Sequence, residues 1–171
     1  HAVGFACALA LALALAGAVD AFADDTAPAE GPGWTALTNP QEVIDARAAL
    51  MLEIERLMKP IDSFAAGERA PLDDLRSAAT TIGKMLLAVP HLFPPPTNLY
   101  DAEAETPVTL AMPAIWTNFT AFEQMAKESV AAAETMAATQ DPKGFEAAGL
   151  KLRATCDACH APYLRPYVAE G

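Results

Sequence analysis

Apolar residues recur every three or four positions in four separate stretches of the chain. This period places them on one face of an α-helix, whereas a half-buried strand would alternate apolar and polar residues. The first helix is predicted to begin at Asn39, with Pro40 and Glu42 suited to its first turn. Pro60 predicts its end near Lys59, because the residue before a proline disfavours helical geometry. The apolar face consists of Val43, Ala46, Leu50, Met51, Ile54, Leu57 and Met58.

Three further stretches repeat the helical period. The second follows a glycine-containing turn at residues 66–68 and ends at Pro90. The third opens at Pro113, and the fourth begins with Asp141 as cap and Pro142 at the first helical position. Their apolar positions are Leu75, Ala79, Ile82, Leu86 and Val89, then Ile115, Trp116, Phe119, Phe122, Ala126, Val130, Ala133 and Met136, then Phe145, Ala148, Leu152, Cys156, Cys159 and Tyr163.

The connection across residues 91–112 differs from these stretches. It contains four prolines, lacks the alternation of a strand and is too proline-rich for a helix. Four amphipathic helices of similar length, joined by two short turns and one longer link, predict an all-α chain folded as an antiparallel four-helix bundle.

The N-terminal residues have a different character from the rest. The run 2–19 is apolar throughout, and Ala21-Phe22-Ala23 has the small-x-small pattern of a cleavage site. We predict that residues 1–23 are a cleaved secretory signal, with a retained membrane anchor as the alternative. Residues 24–38 are predicted to be a flexible leader and residues 39–171 the folded domain.

Composition limits the classes of partner. Hydrophobic residues make up 53% of the chain, much of this alanine, and aromatic residues only 7%, which favours helices. The formal net charge is −11. An acidic protein repels phosphate backbones and anionic lipid, so nucleic acid is excluded as an expected partner, whereas a basic protein surface is compatible.

The chemistry is concentrated in Cys156-Asp157-Ala158-Cys159-His160 near the end of the fourth stretch. In the C-x-x-C-H pattern, the two thiols form thioether bonds with a haem and the histidine binds its iron. On a helix, residues three and four apart share a face, so Cys156, Cys159 and His160 meet the same side of the macrocycle. The motif predicts one covalent haem c, with His160 as the proximal iron ligand.

The two cysteines could instead form a disulfide, a redox-active pair or part of a zinc site. A disulfide between Cys156 and Cys159 would close a very short loop and stabilise little. A thioredoxin-like pair belongs at a helix N-terminus after a strand, whereas this pair lies near a helix C-terminus. A zinc site needs four ligands, and His91 is the only further histidine after residue 23. We expect His91 to be a surface or turn residue, with a distal iron ligand as the alternative.

The position of the motif indicates the subclass of haem protein. Only eleven residues follow His160, and none is Met or His, so any sixth iron ligand comes from upstream. This layout resembles the class II cytochromes c, the cytochrome c′ family. The resemblance extends over residues 40–165, closer to the low-spin branch, and includes Arg47-Ala48-Ala49-Leu50-Met51, Pro60-Ile61, Phe64-Ala65-Ala66-Gly67, Pro90-His91-Leu92-Phe93-Pro94 and Pro113-Ala114-Ile115-Trp116.

The resemblance implies roles for two residues of the first helix. The position of Met51 faces the open side of the haem, and the position of Arg47 lies near a haem propionate. One helical turn separates them, which agrees with these roles. The alternatives are a core methionine at 51 and a solvated surface charge at 47. The rival methionine ligands are Met58, Met85, Met112 and Met125.

One departure from the family lies after the haem motif. Leu164 stands where the family usually has a basic residue, and Arg165 follows it. Pro162 predicts that the last turn after His160 is distorted or ends early.

Two functions follow from the resemblance. The first is a periplasmic electron carrier with His160 and Met51 as axial ligands, since methionine ligation raises the reduction potential. The alternative is a five-coordinate gas-binding protein that takes nitric oxide. Neither is enzymatic. The expected partners are redox proteins, a homodimer through the first two helices is left open, and no membrane insertion is expected after signal cleavage.

Overall fold

The computed structural model describes residues 38–166, so the predicted signal segment, most of the leader and residues 167–171 lie outside the described residues. Four long helices and one short helix account for most of the described chain. They are α1 (Pro40–Ala65), α2 (Leu72–Ala88), α3 (Ala114–Thr117), α4 (Phe119–Ala138) and α5 (Pro142–Tyr163). Two 3₁₀ turns, Val89–Leu92 and Pro95–Thr97, follow α2. The prediction of an all-α four-helix bundle is confirmed.

The predicted helix starts agree with the capping contacts. The Asn39 side chain accepts a hydrogen bond from the Gln41 amide at 3.0 Å, ahead of Pro40 at the first helical position. Asp141 accepts one from the Gly144 amide at 2.7 Å in the same way. Each bond satisfies an amide that the helix itself leaves without a partner.

The predicted end of α1 at Lys59 is wrong, because α1 continues through Pro60 to Ala65. A proline inside a helix removes one backbone hydrogen bond and costs about 3 kcal/mol. The residues beyond it offset this cost: Ile61 is fully buried, and the Phe64 ring packs edge-on against Phe145 at 5.6 Å. Burying each such side chain contributes about 1.5–3 kcal/mol.

The third predicted helix is interrupted at Asn118, where the backbone leaves helical geometry (φ −140°, ψ 57°). The short α3 before the break is tied to the link, since the Trp116 indole donates a hydrogen bond to the Phe93 carbonyl at 2.9 Å. After the break, α4 directs Phe122 into the core. The interruption thus separates a short helix bonded to the link from a long helix packed in the core, and the periodicity does not encode this difference.

Helices α1 and α5 are antiparallel, and three contacts define their register. Phe64 meets Phe145, and Arg153 binds Glu55. Between these contacts the helices approach closely at Gly149, where a Cβ atom would stand 3.1 Å from the Ile61 side chain. Moving a given number of residues towards the N-terminus of α1 therefore corresponds to moving the same number of residues towards the C-terminus of α5.

The core fills the space between the four long helices. Its fully buried side chains include Met58, Ile61, Ile82, Met136, Phe145 and Leu152. Between residues 38 and 166, no helix combines the length and the apolar character needed to cross a bilayer.

Candidate haem site

The haem motif lies in the last two turns of α5. Cys156 and Cys159 are half-buried and His160 is exposed. The helix is regular here: the Leu164 amide donates to the His160 carbonyl at 2.9 Å, and Tyr163 still belongs to α5. The predicted early end is present, since α5 stops at Tyr163, one residue after Pro162, and Leu164 is extended. The turn before this end stays helical, and the buried Tyr163 ring packs on Phe122 at 5.3 Å.

Met51 lies opposite the motif on α1. Ile61 of α1 lies beside Gly149 of α5. Met51 precedes Ile61 by ten residues, and Cys159 follows Gly149 by ten residues. Ten helical residues rise about 15 Å on either helix, so Met51 and Cys159 stand at the same level of the bundle. The register thus brings Met51 level with the haem motif.

The side of α1 that carries Met51 also faces α5. The Arg153 guanidinium donates to Glu55 at 3.0 Å and to Asp62, so these acids lie on the face of α1 towards α5. Met51 precedes Glu55 by four residues, and His160 follows Arg153 by seven. Both spacings keep a residue on the same helix face. Met51 and His160 therefore occupy facing sides of α1 and α5.

Met58 and Met85 are placed less well than Met51 as iron ligands. Met58 is buried in the core, two turns further along α1. Met85 belongs to α2, which packs mainly on α4 and α1. Met125 belongs to α4, which packs on α5 beside a groove lined by Lys151 and Thr155. The Met112 backbone amide is bound by the Tyr163 carbonyl at 2.9 Å, in the link.

The surroundings of both motif cysteines disfavour the thiolate form. Burial raises the pKa of Cys159 to about 11, and burial also raises the pKa of Cys156. A redox-active cysteine needs a lowered pKa, so these environments oppose the thioredoxin-like alternative. Within residues 38–166, no group of three or more His, Cys, Asp or Glu side chains is arranged to hold a metal ion.

The histidine suits iron ligation. Partial loss of water around the ring lowers the pKa of His160, with smaller opposing effects from Asp157 and Glu55. The neutral imidazole is the form that donates an electron pair to a metal. Two neutral thiols and a neutral imidazole on one helix face fit a covalently bound haem. His91 is exposed in a 3₁₀ turn, which confirms the prediction of a surface residue.

Arg47 is buried, so the predicted alternative of a solvated surface charge is wrong. Only 5% of the residue is exposed, and the guanidinium donates to the hydroxyls of Thr97 at 2.9 Å and Thr109 at 2.6 Å. It also stands 4.8 Å from the centre of the Phe93 ring. Burial lowers the pKa of Arg47 to about 10. No acidic side chain in the described part of the chain forms an ion pair with it.

Sequence reasoning missed three residues around the site. Thr97 and Thr109 lie in the proline-rich link, and nothing in their spacing marks them as partners of Arg47. The sequence does contain a pattern that points to Arg153. It lies two helical turns before His160, and its partners Glu55 and Asp62 are seven residues apart on α1. Pairing those two patterns needs the register of the helices, which the sequence alone does not provide.

Comparison with known proteins agrees with this geometry. A sequence profile described as Cytochrome C′ matches residues 42–164. A cytochrome c-556 of Agrobacterium tumefaciens (strain II Chrys) is 32% identical over 124 residues, which are 70% of this chain and 94% of the relative. A cytochrome c′ of Rhodospirillum rubrum is 28% identical over 128 residues, 73% of this chain and 83% of the relative.

Solved structures show the same fold. The crystal structure of cytochrome c′ from Thermochromatium tepidum superposes with a TM-score of 0.64 at 25% identity, covering 75% of this chain and 98% of that one. A cytochrome c′ described as having an unusual ligand-controlled dimer dissociation superposes with a TM-score of 0.67 at 24% identity, covering 77% and 100%. The family profile covers well over half of the chain. The chain belongs to the cytochrome c′ family, whose members carry one covalently bound haem c.

Proposed function

We propose that this protein binds a small neutral gas such as nitric oxide at a five-coordinate haem. Cys156 and Cys159 would attach the haem covalently, His160 would hold its iron from the α5 side, and the face towards Met51 would receive the gas. The family match over residues 42–164 supports this reading, since the open iron position is the arrangement that the cytochrome c′ resemblance implies. When bound, the haem supplies the iron, and the protein decides which ligands reach it.

The observation that carries the proposal is the apolar character of α1 opposite His160. Met51 is partly buried against core side chains, with Leu50 partly buried beside it and Ile54 buried one turn further. The nearest charged side chain facing inward is Arg47, and its two terminal nitrogens are engaged by the link threonines. A distal side without free donors favours a neutral diatomic ligand over an anion, because the anion would lose its hydration without replacement.

Arg47 stays predicted as a neighbour of a haem propionate. Its buried charge has no carboxylate partner between residues 38 and 166, and a propionate would supply one. A charge-assisted contact of this kind is stronger than one to a neutral hydroxyl.

One geometric observation favours a second function, a one-electron carrier. The register of α1 and α5 puts Met51 directly across from the haem motif, where its sulfur would bind the iron as a sixth ligand. Two axial ligands kept in both oxidation states make electron exchange easy, and methionine raises the potential. The similarity to proteins named cytochrome c-556 is compatible with this role. Neither function turns over a substrate, and the periplasm is the proposed location for both.

Rapid mixing of the ferrous protein with nitric oxide separates the two functions. The test variant is Met51→Leu, which conserves volume and removes the sulfur. The matched control is Met85→Leu on α2. If the iron is five-coordinate, we expect wild type and Met51→Leu to bind nitric oxide at rates within about threefold of each other. If Met51 instead binds the iron, wild type will bind nitric oxide slowly, and Met51→Leu will bind it about a hundredfold faster or more. That result would refute the proposal.

We also propose that two copies pair through α1 and α2. Large apolar side chains face outward on both helices: Leu52 is 72% exposed and Leu87 is 58% exposed. Sedimentation velocity at increasing protein concentration tests this, and a Leu52→Glu variant should remain monomeric where wild type dimerises. A wild type that stays monomeric throughout the micromolar range would contradict it.

A further inference from the structure

The link after α2 lies along the C-terminal end of α5. Ala111 and Leu164 form an antiparallel bridge, the Arg165 amide donates to the Leu110 carbonyl at 2.8 Å, and the Met112 amide donates to the Tyr163 carbonyl at 2.9 Å. These bonds extend α5 by a short pair of extended segments, beginning three residues after His160. The link therefore borders the haem site directly.

Large apolar side chains face outward at this junction. Thr109 and Ala111 are buried, whereas Val108 and Leu110 between them are 52% and 48% exposed, which is the alternation of an extended segment with one buried face. Leu164, the bridge partner of Ala111, is 37% exposed and lies on the same side of the pair as Ala111. Isolated exposed leucines are ordinary, but Val108 and Leu110 point outward together from one face of the link.

Acidic residues stand beside this patch. The Arg165 guanidinium donates to the Ala104 carbonyl at 3.1 Å, which holds this part of the link against the end of α5. Glu103 and Glu105 flank Ala104, and Asp101 is two residues before them; all three acids are exposed. Arg165 is the single lysine or arginine within residues 99–112 and 160–166. The patch is therefore apolar at its centre and negative at its edge.

We propose that this surface, the link patch (Asp101, Glu103, Glu105, Val108 and Leu110), docks a basic electron-transfer protein. The partner would present an apolar contact area ringed by lysine or arginine. One electron would pass from the partner's reduced redox centre, which becomes oxidised, to the ferric haem iron, which becomes ferrous. No proton is transferred. The inference rests on the haem attachment proposed above. A docking surface for an electron donor is also consistent with gas binding, because a gas-binding haem needs a source of electrons to become ferrous.

The charge of the link patch favours a different, basic protein over a second copy of this chain as its occupant. A second copy would bring three acids against three acids, and like charges juxtaposed at an interface cost several kcal/mol. A basic partner is instead attracted, which raises the association rate.

Electron exchange measured by stopped flow tests the proposal. The probe is an oxidised mitochondrial-type cytochrome c, whose haem edge is ringed by lysines, mixed with the ferrous holoprotein at low ionic strength. Methionine ligation gives the probe the higher potential, so the electron flows from this protein to the probe across the same docking surface. The test variant neutralises Asp101→Asn, Glu103→Gln and Glu105→Gln together. The control variant neutralises Glu68→Gln, Glu134→Gln and Glu146→Gln, which are exposed acids outside the patch, so both variants carry the same net charge. We expect the rate constant to fall about tenfold in the test variant and less than twofold in the control.

A further variant, Leu110→Thr, tests the apolar centre without changing charge. We expect exchange to slow about threefold at high ionic strength, where steering is screened and short-range contact dominates. Equal slowing in the acidic test and control variants would mean that only net charge acts, and unchanged rates in all variants would mean that the probe docks elsewhere; either overturns the proposal. Self-association of wild type that the patch variant abolishes would assign the surface to a second copy and overturn it too.

Failure of the haem assignment is recognised separately. A preparation without covalent haem has no c-type absorption spectrum, which is seen before any mixing experiment. Each variant should keep the wild-type spectrum and the wild-type rate of reduction by ascorbate. A changed exchange rate with these two unchanged reports on docking alone.

Discussion

Replacing Arg47 by lysine should destabilise the protein more than replacing it by methionine. The Thr97 and Thr109 hydroxyls bind different nitrogens of the guanidinium, so the planar fork of arginine satisfies both at once. A lysine ammonium is one point of charge and reaches one of them. Methionine removes the charge and keeps the apolar stem. The expected order of stability is therefore wild type, then Arg47→Met, then Arg47→Lys.

The magnitudes follow from the contacts. Burial lowers the pKa of Arg47 to about 10, well below its ordinary value, which corresponds to a cost of about 3 kcal/mol for keeping the charge inside. Two short hydrogen bonds from a charged donor return about 1.5–3 kcal/mol each, and the ring of Phe93 adds about 1 kcal/mol. Arg47→Met removes the two hydrogen bonds and the ring contact but also removes the cost of burying the charge. We therefore expect it to lower the free energy of unfolding by about 2 kcal/mol. Arg47→Lys keeps the cost and loses one hydrogen bond together with the contact to the Phe93 ring, so we expect it to lower the free energy of unfolding by about 3 kcal/mol.

Urea unfolding of the holoprotein, followed by circular dichroism at pH 7 and pH 10, checks this order. Burial lowers the pKa of a lysine in the folded state, so between that pKa and the unfolded value the folded protein binds fewer protons than the unfolded one. Stability then rises with pH, and Arg47→Lys should regain part of its loss at pH 10, whereas Arg47→Met should not. An Arg47→Lys variant as stable as wild type at pH 7 would refute the reasoning and attribute the role of Arg47 to an anionic partner, such as a propionate.

Three further predictions concern the motif and the distant end of the bundle. His160→Gly should keep covalent haem but lose the proximal ligand, and added imidazole should restore the wild-type absorption spectrum; no recovery would contradict the ligand assignment. Cys156→Ala should keep haem through Cys159 alone, with the α-band of the pyridine derivative moved to longer wavelength; an unmoved band would remove Cys156 from the attachment. Phe145→Ala should lower the free energy of unfolding by about 4 kcal/mol, because it opens a cavity beside Phe64, while Phe145→Leu should cost about a third of that and neither should alter the haem spectrum.

The periodic helices could be predicted from the sequence, and their interruptions could not. The caps at Asn39 and Asp141 act through residues two or three positions away, so their effect is readable locally. Pro60 and Pro162 are strong local signals for helix ends, and α5 does stop one residue after Pro162, yet α1 continues through Pro60 to Ala65. Contacts with distant residues outweighed the local preference, which is the usual reason that propensity fails.

The site shows the same division. Cys156, Cys159 and His160 belong together through their spacing on a single helix, so the sequence alone predicted their shared face. Met51 was predicted from a family resemblance, and the helix register now supplies an independent reason for its position opposite the motif. The surroundings of Arg47 depend on residues 45 to 62 positions away in an irregular link. Such contacts leave no periodic trace, so burial of the arginine could only be learned from the structure.

The absorption spectrum of the ferric holoprotein at neutral pH tests the central claim most directly. If His160 is the only axial ligand that the protein supplies, the spectrum is that of high-spin, five-coordinate iron, and nitric oxide shifts it without first displacing a side chain. A low-spin spectrum with a methionine–iron charge-transfer band at the red edge, lost in Met51→Leu, would contradict this claim and identify the protein as a six-coordinate electron carrier.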